Sequence, residues 1–454
     1  MELSLSKEQQ HVYDKYKQGQ NVFITGPGGS GKTEIIRKIY NDALFVKKNV
    51  QVCALTGCAA ILLKCRAKTI HSWSGIGLGN GTVDELILKI KSNHYKKNAW
   101  RDIELLIIDE VSMMSLKLFD TLDAIGRAIK GNYTKPFGEI QVIFSGDFYQ
   151  LPPVGNLMDA DTCRFCFESV DWVNTFSMDC QVQLVKIFRQ TDEVFASILN
   201  QIRSGQIKRK TNELLLSYVG RVKPEVVTQL YPTKKRTDHI NNLRMNELAG
   251  IPYVYIVKYN KDLVITSDED RVKRKKCSND QLDAELKYIH TNLNCETTLT
   301  LKLGAHVMCV VNMETPCGAT LFNGSQGIVV GFTSLQSIPI VKFGTWAPIV
   351  MNYHVWNSEN IPGIGVSQVP LILAWALTIH KSQGSTLESA EIDAGKGIFE
   401  CGQTYVALSR VKSLEGLYLT SFDVSRITIN KKVRDFYDIL DDFEFIRENE
   451  AEFK

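Results

Sequence analysis

The sequence predicts an α/β protein with parallel sheets and a smaller all-β insertion. Short apolar strands alternate with helical patterns through the first 185 residues, and a second alternating region begins near residue 183. Such alternation is typical of parallel sheets that are covered by helices on both faces. The second region is interrupted at 303–365 by a stretch rich in Gly, Pro and β-branched residues, which is the pattern of a small all-β domain.

The individual elements follow from the apolar runs and their boundaries. In the first region, compact apolar runs predict strands at 21–25, 50–55, 105–109 and 140–145. Helical patterns lie between them at 33–47 and 115–130. The second region predicts helices at 192–203 and 235–248 and strands at 226–231, 371–377, 388–393 and 416–422. The insertion has strand-like runs at 306–311, 327–332 and 338–343, and the basic stretch 271–276 is interpreted as a solvated loop.

Composition says more about the cellular compartment of the protein than about its function. Eleven cysteines, an odd number scattered along 454 residues, indicate reduced thiols in an intracellular compartment such as the nucleus or cytoplasm. No apolar run reaches the roughly 18 residues of a membrane span, and no targeting signal is seen, so we expect no membrane partner. Either the natural protein is compact, or this sequence is a core cut from a longer protein. A net charge of +3 is neutral evidence, because a local basic groove is enough to hold nucleic acid.

A phosphate-binding loop is the most specific local signal. It directly follows an apolar strand and opens a helix, which is the context that the pattern GxxxxGK[ST] requires. Glycines let backbone N–H groups turn toward phosphates, Lys32 reaches the β- and γ-phosphates, and the Thr33 hydroxyl ligates Mg²⁺. The pattern therefore predicts a site for ATP and Mg²⁺. The residues of the loop are Gly26, Pro27, Gly28, Gly29, Ser30, Gly31, Lys32 and Thr33.

Polar side chains at the ends of later strands extend this site. Asp109 ends a buried apolar run, where it can hold Mg²⁺, and Glu110 is placed to deprotonate the attacking water. Gln150 follows another strand and could sense the γ-phosphate. Arg189 and Arg410 each offer a guanidinium for the transferring phosphoryl group, an effect worth about 10³–10⁵ in rate. Taken alone, each arginine is more often a surface or ion-pair residue.

Further motifs occur in a fixed order and carry a family resemblance. They include Gly146-Asp-Phe-Tyr-Gln-Leu-Pro-Pro-Val154 and Thr378-Ile-His-Lys-Ser-Gln-Gly-Ser-Thr386, with others at 56–60, 69–72, 122–141, 165–169, 323–327 and 407–410. Together they resemble superfamily 1B helicases, specifically the petite-integration-frequency family and its RecD-like relatives. The resemblance runs from about residue 5 to residue 422. Glu139, where the family usually repeats Gly, and Ser385, where Gln is common, depart from the pattern.

The resemblance implies two RecA-like domains, 1–185 and 186–454, with ATP between them. It assigns the phosphate loop, Asp109, Glu110 and Gln150 to the first domain. It assigns Gly384 and Arg410 to the second, with Arg189 at the junction facing the γ-phosphate. Gln9 resembles the adenine-reading glutamine of the family, because its amide can both donate to and accept from the base. The alternative is that Gln9 is an exposed residue at a helix start.

The resemblance also implies a path for single-stranded DNA and 5′-to-3′ movement. Insertions at 76–100 and 303–365 correspond to a small wedge and an SH3-like domain. Forked or tailed duplexes would be substrates, and a monomer on DNA is expected. Hydroxyl, amide and cationic side chains suit contacts to the phosphate backbone, which position a strand without reading its sequence. The predicted contacts are Thr56, Thr69, His71, Ser72, His380, Lys381, Ser382 and Gln383.

Two other classes of protein compete with a DNA motor. A nucleotide switch or small-molecule kinase would share the phosphate loop, but would have no role for 380–386 and Arg410. A nucleic-acid binder with a dead site would not need Lys32, Asp109 and Glu110 intact. The intact set therefore favours an ATP-driven helicase.

Overall fold

The computed structural model describes residues 5–77, 79, 81–156, 158–188, 192–224, 227–265, 267–293, 295–311, 313–314, 320–321, 325–358 and 361–452. The chain forms two compact units. The first unit contains Met1–Lys223 and Ile379–Lys454, and the second unit contains Pro224–Thr378. The predicted domain boundary near residue 185 stays a prediction. Among the described residues, no helix is both long and apolar enough to cross a membrane.

A six-stranded, all-parallel sheet forms the centre of the first unit. Strand Leu105–Asp109 is buried at every position, as a strand covered on both faces should be. Separate apolar clusters cover the two faces of the sheet, one around Phe144 and Trp172 and the other around Ile36 and Ile107. In order across the sheet, the strands are Lys68–Thr69, Val50–Ala54, Leu105–Asp109, Gln141–Ser145, Val22–Thr25 and Gln181–Gln183.

Helices surround this sheet, as the alternation of elements predicts. A second parallel pair, Ala390–Ala394 with Leu417–Phe422, belongs to the same unit. The helices of the first unit are Lys7–Lys17, Lys32–Phe45, Gly57–Leu63, Ile70–Ser74, Val83–Ser92, His94–Asp102, Leu116–Lys130, Trp172–Thr175, Glu193–Ser204, Arg209–Ser217, Ile379–Ser382, Gln403–Leu408 and Lys431–Glu452. The predicted α/β class with parallel sheets is confirmed.

The predicted wedge forms a pair of short helices. Thr82 and Glu85 make a capping box at the start of Val83–Ser92, and Asn93 caps His94–Asp102. Trp100 is fully buried, and its indole N–H donates to the Ser74 carbonyl at 2.9 Å. This side chain therefore anchors the wedge to the segment that contains the predicted strand contacts.

The second unit is dominated by antiparallel sheets. Its largest sheet runs in the order Ile349–Val350, Pro339–Lys342, Gln326–Phe332, His306–Cys309 and Leu371–Leu373. Smaller sheets pair Tyr253–Ile256 with Thr298–Leu301 and Met313–Glu314 with Thr320–Leu321. In a three-stranded sheet, Gly365–Gln368 is the central strand, between His354–Asn357 and Lys258–Asn260. One parallel pair, Thr228–Tyr231 with Ala376–Thr378, and the helices Lys234–Glu247, Asp268–Lys275 and Asn279–Asn292 complete the unit. The predicted β-sheets of this region are confirmed, and the bounds 303–365 of the insertion stay a prediction.

Two predicted elements of this unit were wrong. The basic stretch 271–276 lies mostly within the helix Asp268–Lys275, not in a loop. Ser267 caps this helix, and its acidic first turn and basic last turn both complement the helix dipole. The single strand predicted at 371–377 is two strands, because the chain changes partner. The Ala374 N–H donates to the His306 carbonyl, whereas the Trp375 carbonyl accepts from the Gln229 N–H.

Candidate nucleotide site

The phosphate loop lies between strand Val22–Thr25 and helix Lys32–Phe45 and depends on glycine at two positions. Gly26 and Gly31 have φ values of 141° and 86°. A Cβ on Gly26 would lie 2.4 Å from the Leu184 carbonyl oxygen, and one on Gly31 would lie 2.5 Å from the Gln9 Nε2. The Gly26 contact is with a backbone atom, which cannot move aside, whereas the Gln9 amide at Gly31 is the end of a flexible side chain. At both positions the positive φ favours glycine.

A cavity of about 300 Å³ opens beside the loop and brings most of the predicted hydrolysis residues together. It is lined by side chains from both of the predicted domains, and all of these lie in the first unit. The lining residues are Gly28, Gly29, Gly31, Lys32, Thr33, Glu34, Ala59, Leu63, Asp109, Glu110, Gln150, Phe188, Gly384 and Arg410. Among the predicted γ-phosphate contacts, only Arg189 lies outside the described residues.

Lys32 folds back onto its own loop. Its Nζ donates to the carbonyl oxygens of Gly26 at 2.7 Å and of Pro27 at 3.0 Å. Desolvation lowers the pKa of Lys32, and the nearby carboxylates of Asp147 and Glu110 oppose that shift. Phosphate oxygens in the cavity would offer the ammonium group stronger partners than these two carbonyls.

The acidic pair sits at the end of strand Leu105–Asp109. Glu110 has a left-handed backbone, with φ of 58°, which turns it away from the strand direction. Burial raises the pKa of Asp109 and, together with the Asp109 charge, that of Glu110. Lys32 and Arg410 act in the opposite direction on Glu110. A cation in the cavity would therefore stabilise the charged forms of Asp109 and Glu110.

Gln383 links this acidic pair to Gln150. Its Nε2 donates to Glu110 Oε2 at 3.4 Å and to Gln150 Oε1 at 3.5 Å. We predicted Gln383 as a DNA contact, and the structure places it against the hydrolysis residues. A DNA contact by Gln383 stays a prediction.

Arg410 lines the cavity from a buried position. Its Nε donates to the Val406 carbonyl at 2.8 Å, and Nη2 donates to the Ser409 hydroxyl at 2.8 Å. Nη1 donates to the carbonyl of Ser385, one of the two positions that depart from the family pattern, at 3.2 Å. The guanidinium is thus held in place by the helix Gln403–Leu408 and its cap Ser409, which precede it, and by the 380–386 segment.

Gln9 was interpreted either as an adenine-reading residue or as an exposed residue at a helix start. It does lie at a helix start, but it is not exposed. It is 5% accessible and forms a capping box with Ser6. Its Nε2 also donates to the Gly31 carbonyl at 3.3 Å. This contact places the Gln9 amide at the phosphate loop, which is compatible with adenine recognition. That role stays a prediction.

Phe188, which sequence reasoning missed, is an aromatic wall of the cavity. The residue is 51% exposed, and its backbone N–H donates to the Gly29 carbonyl at 2.8 Å. Lys186 Nζ lies 5.1 Å from the ring centroid. A lone aromatic residue gives no sequence signal of its own. Its proximity to Arg189 in the chain was the only available hint.

The first group of predicted strand contacts lies on two short helices of the first unit. The hydroxyls of Thr56 and Thr69 cap these helices by accepting from Ala59 N at 3.2 Å and Ser72 N at 3.3 Å. Burial lowers the pKa of His71, so this ring is a neutral hydrogen-bonding group at neutral pH. Their DNA-binding roles stay predictions.

The second group of predicted strand contacts lies in helix Ile379–Ser382. Lys381 is exposed, whereas Ser382 is buried and donates to the Ile379 carbonyl at 2.8 Å. The His380 ring lies against Phe399, with the ring centroids 6.4 Å apart. Lys381 is thus the exposed residue of this helix, and DNA contacts by this group stay predictions.

The donor set in the cavity suits magnesium. Thr33 offers a hydroxyl and Asp109 a carboxylate, and both line the same cavity as Lys32. Mg²⁺ prefers oxygen ligands and is commonly held by one or two protein groups together with substrate phosphates. Within the described part of the chain, no group of three or more His, Cys, Asp or Glu side chains is placed to hold a metal ion.

A glycine-rich loop with Lys32, lining one cavity together with Asp109 and Glu110, defines this protein as a P-loop nucleoside triphosphatase. Family models described as "PIF1-like helicase" and "DNA helicase Pif1, 2B domain" match residues 4–213 and 286–332. The ATP-dependent DNA helicase PIF1 of Danio rerio is 35% identical over 439 residues, which cover 95% of this chain and 63% of that protein. The chain belongs to the PIF1-like helicase family.

Solved structures agree with this assignment. The Pif1 helicase from Candida albicans is 34% identical, with a TM-score of 0.78 over 96% of this chain and 100% of that chain. Pif1 from Bacteroides sp in complex with ADP-AlF4 is 28% identical, with a TM-score of 0.72 over 97% of this chain and 98% of that chain. Bacteroides Pif1 has also been solved bound to ssDNA. The chain spans about three-fifths of the length of the curated relatives that it matches.

Proposed function

We propose that this chain hydrolyses ATP to move 5′ to 3′ along single-stranded DNA and to unwind duplex DNA. One observation carries the proposal. Lys32, Glu110 and Arg410 line a single cavity, although they lie far apart in the sequence. The names of the relatives support DNA as the substrate. The polarity rests on the family resemblance.

Five side chains of the cavity have a chemical task in this proposal. Lys32 and the loop N–H groups hold the β- and γ-phosphates, and Arg410 offsets the charge that develops on the transferring phosphoryl group. Glu110 accepts the proton of the attacking water. Thr33 and Asp109 would hold Mg²⁺, which supplies positive charge to the phosphate oxygens.

Movement along DNA requires that the nucleotide change how the strand is held. The predicted first domain supplies Lys32, and the predicted second domain supplies Arg410, so bound ATP draws these segments together. Gln383 adjoins the strand-contact helix and donates to Glu110 at 3.4 Å. A change in ATP occupancy drives movement only through its different affinity for the two arrangements of these segments.

The substrate class follows from the relatives. A Bacteroides Pif1 has been solved bound to ssDNA, and another structure concerns unwinding at forked dsDNA by two coordinating Pif1 helicases. We infer that forked or tailed duplexes are substrates of this chain and that one copy suffices for movement along a strand. An intracellular, reducing compartment, such as the nucleus or cytoplasm, fits such a substrate.

ATP turnover with and without single-stranded DNA tests the proposal. We expect strong stimulation by DNA, and a large loss of turnover in the variant Arg410→Ala with ATP binding retained. Turnover that DNA leaves unchanged would indicate a nucleotide switch or small-molecule kinase instead. DNA binding without any turnover would indicate a dead binding protein.

A further inference from the structure

Tyr437 lies on the helix Lys431–Glu452, beyond the segment in which the family motifs occur, yet it reaches the back of the phosphate loop. Its side chain is 2% exposed. The phenol oxygen lies 2.5 Å from the Thr25 hydroxyl and accepts from the Phe148 N–H at 3.1 Å. It also donates to the Asp147 carboxylate at 3.2 Å. One hydroxyl therefore joins three partners from two different segments.

Those two segments adjoin residues that are predicted to contact the phosphates of ATP. Thr25 directly precedes Gly26, the first residue of the phosphate loop. Asp147 begins the turn that ends at Gln150, whose N–H donates to the Asp147 carbonyl at 2.8 Å. Gln150 lines the cavity. The Tyr437 hydroxyl thus fixes the start of the phosphate loop relative to the turn that presents Gln150.

The surroundings of this hydroxyl are held independently of it. Asp147 is fully buried and paired with Arg203 through Nε and Nη2, at distances between 2.9 and 3.2 Å. The Arg203 guanidinium lies over the rings of Tyr149 and Tyr437, 4.5 and 5.0 Å from their centroids. The two rings stack with centroids 4.5 Å apart. Loss of the hydroxyl alone leaves the ion pair and the stacked rings in place.

A second tyrosine hydroxyl touches the loop beside this network. The Tyr405 hydroxyl accepts from the Gly28 N–H at 2.9 Å. Burial raises the pKa of both Tyr405 and Tyr437, and the charge of Asp147 raises it further, so both stay protonated at neutral pH. Neutral hydroxyls, rather than charges, therefore hold the loop from behind.

We propose that Tyr437 is a positioning residue for ATP hydrolysis, so that the C-terminal helix is part of the ATPase machinery. The inference rests on the proposed function. Tyr437 acts through Thr25 and the 147–150 turn, not by contact with the nucleotide. It should therefore affect the chemical step more than the binding of ATP.

The variant Tyr437→Phe tests this role because it removes only the hydroxyl. We expect kcat for DNA-stimulated ATP hydrolysis to fall about tenfold, equivalent to about 1.4 kcal/mol, with KM within about twofold of wild type. Tyr16→Phe is the matched control. Tyr16 is also buried and donates to a carboxylate, Asp42, at 2.8 Å, but it lies away from the cavity. We expect wild-type kcat from this control.

A double-mutant cycle separates positioning from general stability. Thr25→Val removes the partner hydroxyl, and if the two hydroxyls act together, the double variant loses no more than either single variant. Equal kcat for Tyr437→Phe and wild type, or equal losses in Tyr437→Phe and Tyr16→Phe, would overturn the role of Tyr437. Wild-type protein that fails to hydrolyse ATP with DNA present would instead overturn the proposed function.

Discussion

Glu110 combines an unusual backbone conformation with a carboxyl group whose pKa is raised. Its left-handed backbone is unusual for a residue with a side chain, and surrounding groups raise its pKa by desolvation. Such features persist only where neighbouring structure holds them, and they concentrate at functional sites. Here they bring the carboxylate within reach of Gln383 and the field of Arg410.

Replacing Glu110 by Gln should separate ATP binding from hydrolysis. The amide keeps the shape of the side chain but cannot accept the proton of the attacking water. We expect kcat to fall about 10²–10⁴-fold, with ATP and single-stranded DNA still bound. Steady-state turnover and nucleotide titration measure the two properties. Glu213→Gln, at an exposed position of the same unit, should hydrolyse normally. Near-normal turnover by Glu110→Gln would refute its role as the base.

Phe188 should contribute to ATP binding through its half-exposed ring beside Gly31. Stacking of a base on an aromatic side chain is worth about 1–3 kcal/mol, so Phe188→Ala should raise KM for ATP about tenfold or more. Phe188→Trp keeps an aromatic face and should stay near wild type. Initial rates over a range of ATP concentrations measure the effect. If both variants had the KM of wild type, the ring would have no contact with the base.

Among the helices and strands, a strand that depends on a local apolar pattern was predicted correctly. A strand that depends on partners far away in the chain was not. Strand Leu105–Asp109 matches its apolar run at both ends, because a strand buried on both faces is uniformly apolar. The strand predicted at 371–377 failed because its change of partner depends on His306 and Gln229. The helix Asp268–Lys275 was missed because its basic stretch was interpreted as a loop, and the capping residue Ser267 was not recognised.

The same distinction applies to the site. The phosphate loop and the acidic pair are local motifs, and they meet at the predicted cavity. Phe188 and Tyr437 belong to no motif, and only the folded chain brings them to the loop. The left-handed φ of 77° at Glu139 fits the glycine that the family usually has there.

The wedge should depend on Trp100. Trp100→Ala removes a fully buried ring that packs on Trp73, with ring centroids 4.7 Å apart, and it also removes the bond to Ser74. We expect a loss of about 3–5 kcal/mol in the stability of the wedge helices. Hydrogen exchange of residues 83–102 measures this loss. Trp346→Ala, at a position that is 38% exposed, should leave that exchange unchanged. Unchanged exchange in Trp100→Ala would show that the wedge is anchored elsewhere.

Across the whole molecule, a buried histidine should make the second unit less stable in acid. Burial lowers the pKa of His306, in the second unit, to about 4. Its Nδ1 has no hydrogen-bond partner among the described residues. Below a pH of about 6.5 the unfolded histidine takes up a proton that the folded one excludes, so stability falls as pH falls toward 4. Above that pH both states are neutral and the contribution vanishes.

Between pH 7 and pH 5 we therefore expect His306 to reduce the stability of the second unit by about 2 kcal/mol. Urea unfolding at the two pH values measures the change. His306→Met cannot titrate, so its free energy of unfolding should fall less over the same interval. An equal fall in the variant and the wild type would assign the acid sensitivity to other groups.

We propose that one nucleotide cavity drives directional movement along DNA. The decisive measurement is the unwinding, by wild type and by Lys32→Ala, of duplexes that carry a single 5′ or a single 3′ tail. We predict that wild type unwinds only the 5′-tailed duplex and only with ATP, and that Lys32→Ala unwinds neither. Unwinding from the 3′ tail would contradict the direction, and unwinding by Lys32→Ala would contradict the claim that this cavity drives the movement.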